Sequence, residues 1–303
     1  MTIHCKPCPT HLISILIAIL LSCGFSATTQ AGQNHVDFNS IKDYALFAKA
    51  AYQSEQEINR LSLQKNYELT LHHNIPEIQV SYFLLTNDAT KTQIIAVRGT
   101  SNIENAMVDI AVKLIPDHHT GIYLHDGFAQ AAQAIYKNIR PLIKSGYLIS
   151  TTGHSMGGAI ALILAMHLNT DDYKISQIIT FGQPKVTNSS GSNKFKNLNI
   201  IRMVTEKDIV PLVPPFDPTD MNLQGIYWHL GQEIILLADD TYSILEGMNS
   251  MLRATKFTEA MLNENNVTDH NMDLYLTLIQ QKTNSARLVP YTNSFNLFNL
   301  FGN

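Results

Sequence analysis

Five residues set the tightest limit on the fold: Gly153-His154-Ser155-Met156-Gly157, with Gly158 directly behind them. Ahead of them Tyr147 to Thr152 (YLISTT) is an apolar, β-branched run that reads as a strand. Behind them Gly157 to Leu168 is small and apolar and reads as a helix. A chain that passes from strand to helix across one serine must turn sharply, and glycines on both sides let the two backbones approach. The serine hydroxyl then projects from the carboxyl edge of a sheet, over a helix N-terminus whose dipole favours negative charge. A serine is a poor nucleophile alone, so the pattern calls for a base and an acid elsewhere.

The surrounding sequence fits that demand. Ile41–Tyr52, Phe128–Ile143, Ser243–Leu262 and Met272–Gln281 carry helical patterns. Ile78–Leu85, Gln93–Val97, Ile178–Phe181 and Leu198–Val204 read as strands, and Ile226–Leu237 as a hairpin around Gly231. Strands alternating with helices predict an α/β domain with a mainly parallel central sheet and helices on both faces. No repeat and no internal linker divides it, so one domain is expected over 41–285, with a tail at 286–303.

All three cysteines, Cys5, Cys8 and Cys23, precede that domain. Disulfide staples, thiol catalysis and cysteine-held metal are therefore excluded from it. A formal charge of −4 over 303 residues argues against a nucleic-acid surface. Lys6 is followed by the apolar run Leu12–Leu21, too short for a bilayer core that needs about 20 residues but right for a signal peptide. Residues 1–22 are read as that signal peptide and 23–40 as a linker. Leu20-Leu21-Ser22-Cys23 resembles a bacterial lipobox, which implies a lipoprotein-type signal and an exported chain lipid-anchored through Cys23. The alternative is cleavage further on, for example after Ala31, giving a periplasmic or secreted chain.

Where serine, acid and base occur on such a sheet, they follow in the order Ser, Asp or Glu, His. Asp208 stands just after the strand ending near Val204; Glu206 competes with it, and Asp217 and Asp220 are weaker candidates in a Pro-rich loop. Two histidines follow, His229 and His270. His229 lies inside the expected hairpin, where the sheet would hold it away from Ser155. His270 lies in a polar loop before the last helix, where a base would project. One oxyanion donor is expected from the Met156 backbone N–H and the other from a loop after an early strand, here Arg98-Gly99-Thr100. His154, between strand and nucleophile, is expected to stand behind the reacting groups. Ile103, Ala106, Met107, Ile110 and Leu114 form one apolar face of a helix over 101–114. His72-His73 and His118-His119 lack companions at metal-ligand spacing and read as surface loops, and His125 reads as a turn support below the site. The aromatic stretch Leu288–Asn303 leaves a membrane contact, a packed strand and disorder all open.

Five segments in order resemble the class 3 lipase family: Ile95–Ser101 (IAVRGTS), His125–Phe128 (HDGF), Gly153–Gly158 (GHSMGG), Thr180–Val186 (TFGQPKV) and Asp208–Pro211 (DIVP) with Pro214-Pro215. The resemblance covers roughly residues 40–282. It implies the α/β-hydrolase fold and a serine carboxylic-ester hydrolase that cleaves acyl esters of glycerolipids through an acyl-enzyme, without cofactor or metal. It implies Ser155 as nucleophile, Asp208 as acid, His270 (with Tyr275 after it) as base, and Thr100 as oxyanion donor. It also implies Asp109 as a brace of the oxyanion loop and 101–114 as a lid meeting a membrane or lipid–water interface. Ala106 stands where the family often has tryptophan, which puts the strength of interfacial activation in doubt. Two other readings remain: phospholipase A or acyltransferase chemistry on the same residues, and a catalytically silent lipid-binding lipoprotein.

Overall fold

Each strand–helix boundary is set by a local device. The computed structural model describes residues 36–100, 113–214, 225–254 and 268–291. Helix α1 (Phe38–Ala50) starts where the Asp37 carboxylate accepts the Asn39 and Ser40 N–H groups at 3.0 and 3.1 Å. It thus begins inside the segment read as linker. Helix α2 (Glu55–Gln64) opens on a Ser54–Glu57 capping box. Strands β1 (Glu68–Ile75), β2 (Val80–Asn87) and β3 (Thr92–Val97) form an antiparallel meander. After β4 (Leu114–Asp117) and β5 (Ile122–His125), α3 (Asp126–Ile139) begins with the His125 ring accepting the Phe128 N–H, so His125 caps a helix. The chain then runs β6 (Leu148–His154), α4 (Met156–Thr170), β7 (Ile175–Phe181), β8 (Thr187–Asn188), α5 (Ser189–Lys194) and β9 (Ile200–Thr205). It closes with β10 (Tyr227–Trp228), β11 (Gln232–Leu236), β12 (Thr241–Leu245), α6 (Gly247–Ala254), α7 (Met272–Lys282) and β13 (Arg287–Leu288).

Among the described residues the main sheet has nine strands in the order β1-β2-β3-β6-β7-β9-β11-β12-β13, and β3, β6, β7, β9 and β11 are mutually parallel. A smaller antiparallel sheet runs β10-β8-β5-β4. Side chains alternate along a strand, and β6 shows what that does. Thr152 donates to the Tyr44 carbonyl on α1 (3.4 Å), while Thr151 donates to the Ala161 carbonyl on α4 (3.0 Å). Helices α1 and α4 therefore cover opposite faces of the sheet. Every residue of α4 from Gly157 to Leu168 is buried, as a helix that is apolar all round must be. The described residues from Asp37 onward form one compact unit. No helix among the described residues is long and apolar enough to cross a membrane.

Several expectations change. Ile226–Leu237 is not a hairpin: β10 pairs with β8 in the small sheet, and β11 pairs with β9 in the large one. Gly231 (φ +69°) is the turn between them, and a Cβ there would lie 2.4 Å from Ile200 Cβ. Residues 243–245, read as the start of a helix, belong to strand β12, and α6 begins only at Gly247. Leu114 opens β4 rather than ending a helix; residues 101–112 of the expected lid, with Asp109, lie outside the described residues. His72-His73 belong to β1, and His119 is only partly exposed. Of the expected tail, 287–288 pair with β12 and Ser243 donates to the Val289 carbonyl (2.7 Å); 292–303 lie outside the described residues.

One buried group ties this fold to pH. The His167 ring on α4 is fully buried and stacks on His119 with centroids 4.7 Å apart. Asp117 faces its Nε2 at 3.6 Å, and Asp171 holds His119 at 2.8 Å. Burial, foremost, brings the His167 pKa down to about 4. An unfolded histidine takes its proton near 6.5. Between those values the unfolded chain binds more protons, so stability falls as pH drops through the window. Urea unfolding is expected to show a loss on the order of 2 kcal/mol from this group between about pH 7 and 4.5, and His167→Gln to flatten that limb.

Candidate active site

The turn between β6 and α4 carries Ser155 at φ +58°, ψ −133°, a conformation that costs a non-glycine residue about 1–3 kcal/mol. The Ser155 N–H is held by the Phe181 carbonyl at the end of β7 (2.9 Å), and its carbonyl accepts from Gly158 (3.0 Å). The glycines act through close approach. A Cβ on Gly153 would lie 2.5 Å from the Gly157 carbonyl oxygen. One on Gly157 would lie 2.3 Å from the Val97 oxygen and 2.7 Å from the Gly99 nitrogen. The loop after β3 is thereby pressed against the start of α4. Gly99 packs beside Ser155, its Cβ position 3.1 Å from Ser155 Cβ, and half-buried Thr100 follows it. Met156 is the first residue of α4, where backbone N–H groups lack an intrahelical acceptor.

Asp208 follows β9 and is buried. Its Oδ2 accepts from His270 Nδ1 at 2.7 Å and from the Tyr275 hydroxyl at 2.6 Å, and its Oδ1 accepts the Val210 N–H at 2.9 Å. Three donors suit a carboxylate. Glu206, the competitor, is exposed. Asp217 and Asp220 lie outside the described residues. His270 sits in a one-turn 3-10 segment before α7 and is buried, and its Nε2 has no hydrogen-bond partner among the described residues. Because Nδ1 donates to Asp208, Nε2 keeps its lone pair. Gly182, directly after β7, lets the pair close over the sheet edge. A Cβ there would meet His270 Cε1 at 2.6 Å and Asp208 Oδ2 at 2.8 Å.

His229 is placed otherwise. It lies between β10 and β11, buried, with Nε2 on the Pro211 carbonyl at 2.6 Å. Burial, then the Arg202 and Lys185 charges, hold it neutral with a pKa well below the usual range. His154 is buried beside the site. Its Nε2 meets the His270 carbonyl at 2.9 Å and its ring lies 4.4 Å from the His270 ring.

Sequence reasoning missed the groups that hold the loop around Asp208. Lys185, buried, donates to the carbonyls of Leu212 and Pro214 (2.7 Å to the latter), and burial lowers its pKa to about 7. Arg253 donates to the carbonyls of Thr205 (3.2 Å) and Glu206 (3.4 Å) and to Glu233 (2.9 Å). Arg202 donates to the Leu230 carbonyl (2.8 Å) and to Glu233 (3.2 Å). A charged residue inside an apolar run, as at Arg202 and Glu233, was the available signal. Among the described residues no group of three or more His, Cys, Asp or Glu side chains is placed to hold a metal ion.

Residues 94–217 match the model of the lipase (class 3) family. A lipase of Rhizopus niveus is 31% identical over 147 residues, covering 44% of this chain and 37% of the relative. The secreted mono- and diacylglycerol lipase 1 of Fusarium solani is 26% identical over 176 residues, covering 55% and 51%. The chain thus spans about two fifths to one half of the length of these relatives. The crystal structure of a lipase from Rhizopus microsporus var. chinensis superposes with a TM-score of 0.62 at 24% identity, over 77% of this chain and 85% of that one. The α/β-hydrolase fold is therefore shared.

The glycine geometry sets a stability test. Gly157→Ala must push backbone, so unfolding free energy is expected to fall by about 1–3 kcal/mol. Gly127→Ala on α3 meets only the His125 ring at 3.8 Å and is expected to gain up to about 1 kcal/mol from helix propensity. Urea denaturation of the two variants reads both signs.

Proposed function

From the match of residues 94–217 to the class 3 lipase family, we propose that this chain is a serine carboxylic-ester hydrolase acting on acyl esters of glycerolipids. The observation that carries the reading is the buried His270–Asp208 pair, 2.7 Å apart, whose outer nitrogen has no partner among the described residues. In this reading Ser155 Oγ attacks the acyl carbonyl while His270 Nε2 takes its proton. The Asp208 carboxylate holds the Nδ1–H tautomer and stabilises the imidazolium. The oxyanion is received by the backbone N–H groups of Met156 and Thr100. The imidazolium then protonates the departing alcohol, leaving an acyl-enzyme. Water, deprotonated by the same nitrogen, releases the fatty acid and restores the serine.

The chain is also proposed to be exported. The leader read at 1–22 supports this, as does the similarity to the secreted mono- and diacylglycerol lipase 1 of Fusarium solani. Anchoring through Cys23 rests on the Leu20–Cys23 pattern. Contact with a lipid–water interface rests on the apolar spacing from Ile103 to Leu114 and on the substrate class.

A fluorophosphonate probe is expected to label the wild type and not Ser155→Ala; an unlabelled, folded wild type overturns the enzyme reading in favour of a lipid binder. On a short p-nitrophenyl ester, Asp208→Asn is expected to lower kcat by about 10⁴-fold, because the wrong tautomer is then favoured. His270→Ala is expected to abolish turnover while His229→Gln retains it. The reverse pattern moves the base to His229.

A further inference from the structure

The three parts of the proposed site come from distant stretches: the loop 98–100, the turn 153–157 and His270. One side chain that belongs to none of them joins all three. Tyr52 lies just beyond α1. Its hydroxyl oxygen accepts the Gly99 N–H at 3.1 Å and lies 3.1 Å from His154 Nδ1. His154 Nε2 lies 2.9 Å from the His270 carbonyl oxygen. A carbonyl only accepts, so Nε2 carries the His154 proton and Nδ1 presents a lone pair. The Tyr52 O–H must then donate to Nδ1, which frees its oxygen to accept from Gly99. The direction of every bond follows from the last one.

We propose that Tyr52, acting through His154, is a positioning residue that holds the oxyanion loop and the base in register across Ser155. The proposal rests on the ester-hydrolase reading. The oxyanion and the imidazolium develop together, and the relay fixes the backbone on which each one forms. Packing does not account for Tyr52, because the residue is 36% exposed while its hydroxyl is engaged by Gly99 and His154. Gly99 is fitted to that hydroxyl: a Cβ would lie 2.5 Å from Tyr52 Oη and 2.6 Å from the His154 carbonyl oxygen. Both partners keep the protonation the relay needs. Burial raises the Tyr52 pKa to about 12, so the phenol remains a donor. Burial, then the neighbouring His270, holds His154 well below the usual histidine range, so it stays neutral. A neutral ring also places no charge against the imidazolium of His270.

The test is Tyr52→Phe, which keeps the ring and removes the hydroxyl. On p-nitrophenyl butyrate kcat is expected to fall about tenfold, less than the 10²–10³ for loss of a direct oxyanion donor, with KM within about twofold, as expected when an interaction made only in the transition state is lost. Labelling by fluorophosphonate at saturation should still reach the wild-type stoichiometry, which separates positioning from misfolding. Nitrogen-15 NMR of the wild type should show His154 with its proton on Nε2, and Tyr52→Phe should disturb that tautomer. Wild-type kcat in the variant, a loss that only tracks the titratable serine, or a proton on His154 Nδ1 would each overturn the proposal. A wild type that neither turns over nor labels overturns the hydrolase reading and the positioning role with it, while the NMR arm still tests whether the relay exists.

Discussion

The site depends on one contact between two backbones. At Gly153 and Gly157 strand β6 and helix α4 come so close that any side-chain carbon would strike main-chain atoms. That contact forces the sharp turn and holds Ser155 in a conformation it would otherwise leave. It also presses the helix start against Val97–Gly99, so the loop after β3 is placed by the same packing. A buried helix and five parallel strands supply the rigidity that over-determines this strain.

The loop around Asp208 is held differently, by cations buried against carbonyl oxygens. Lys185 collects the carbonyls of Leu212 and Pro214, and Arg253 those of Thr205 and Glu206, on the two sides of Asp208. Glu233 compensates Arg253 and Arg202 in the same buried cluster. Breaking such a pair leaves a bare charge in the interior, typically at 3–5 kcal/mol. The polar interior is therefore as much a part of the support as the apolar core.

How much of this could be read from the chain depended on the range of each signal. Ser155 was legible because its turn is local: strand, glycines and helix are contiguous. Asp208 and His270 were nominated by order along the chain and by their loops, and the fold brings them within 2.7 Å. Tyr52 and Tyr275 were not legible as site residues, since their hydroxyls act 102 and 67 positions away. The small sheet was missed because β8 and β10 have two residues each, too few for alternation to register. Around Gly231 two mainly apolar stretches flank a turn glycine, but they belong to different sheets. The misreading of residues 243–245 has the same root: a short apolar stretch fits helix and strand alike.

No cysteine follows Cys23, so every brace described above is non-covalent: glycine contacts, carbonyl-bound lysine and arginine, and the pairing of β12 with β13. Such a domain requires no oxidant to mature and no isomerase to sort its bridges. Its folding is therefore indifferent to the redox state of its surroundings, and reductants that dismantle disulfide-braced enzymes leave its scaffold untouched.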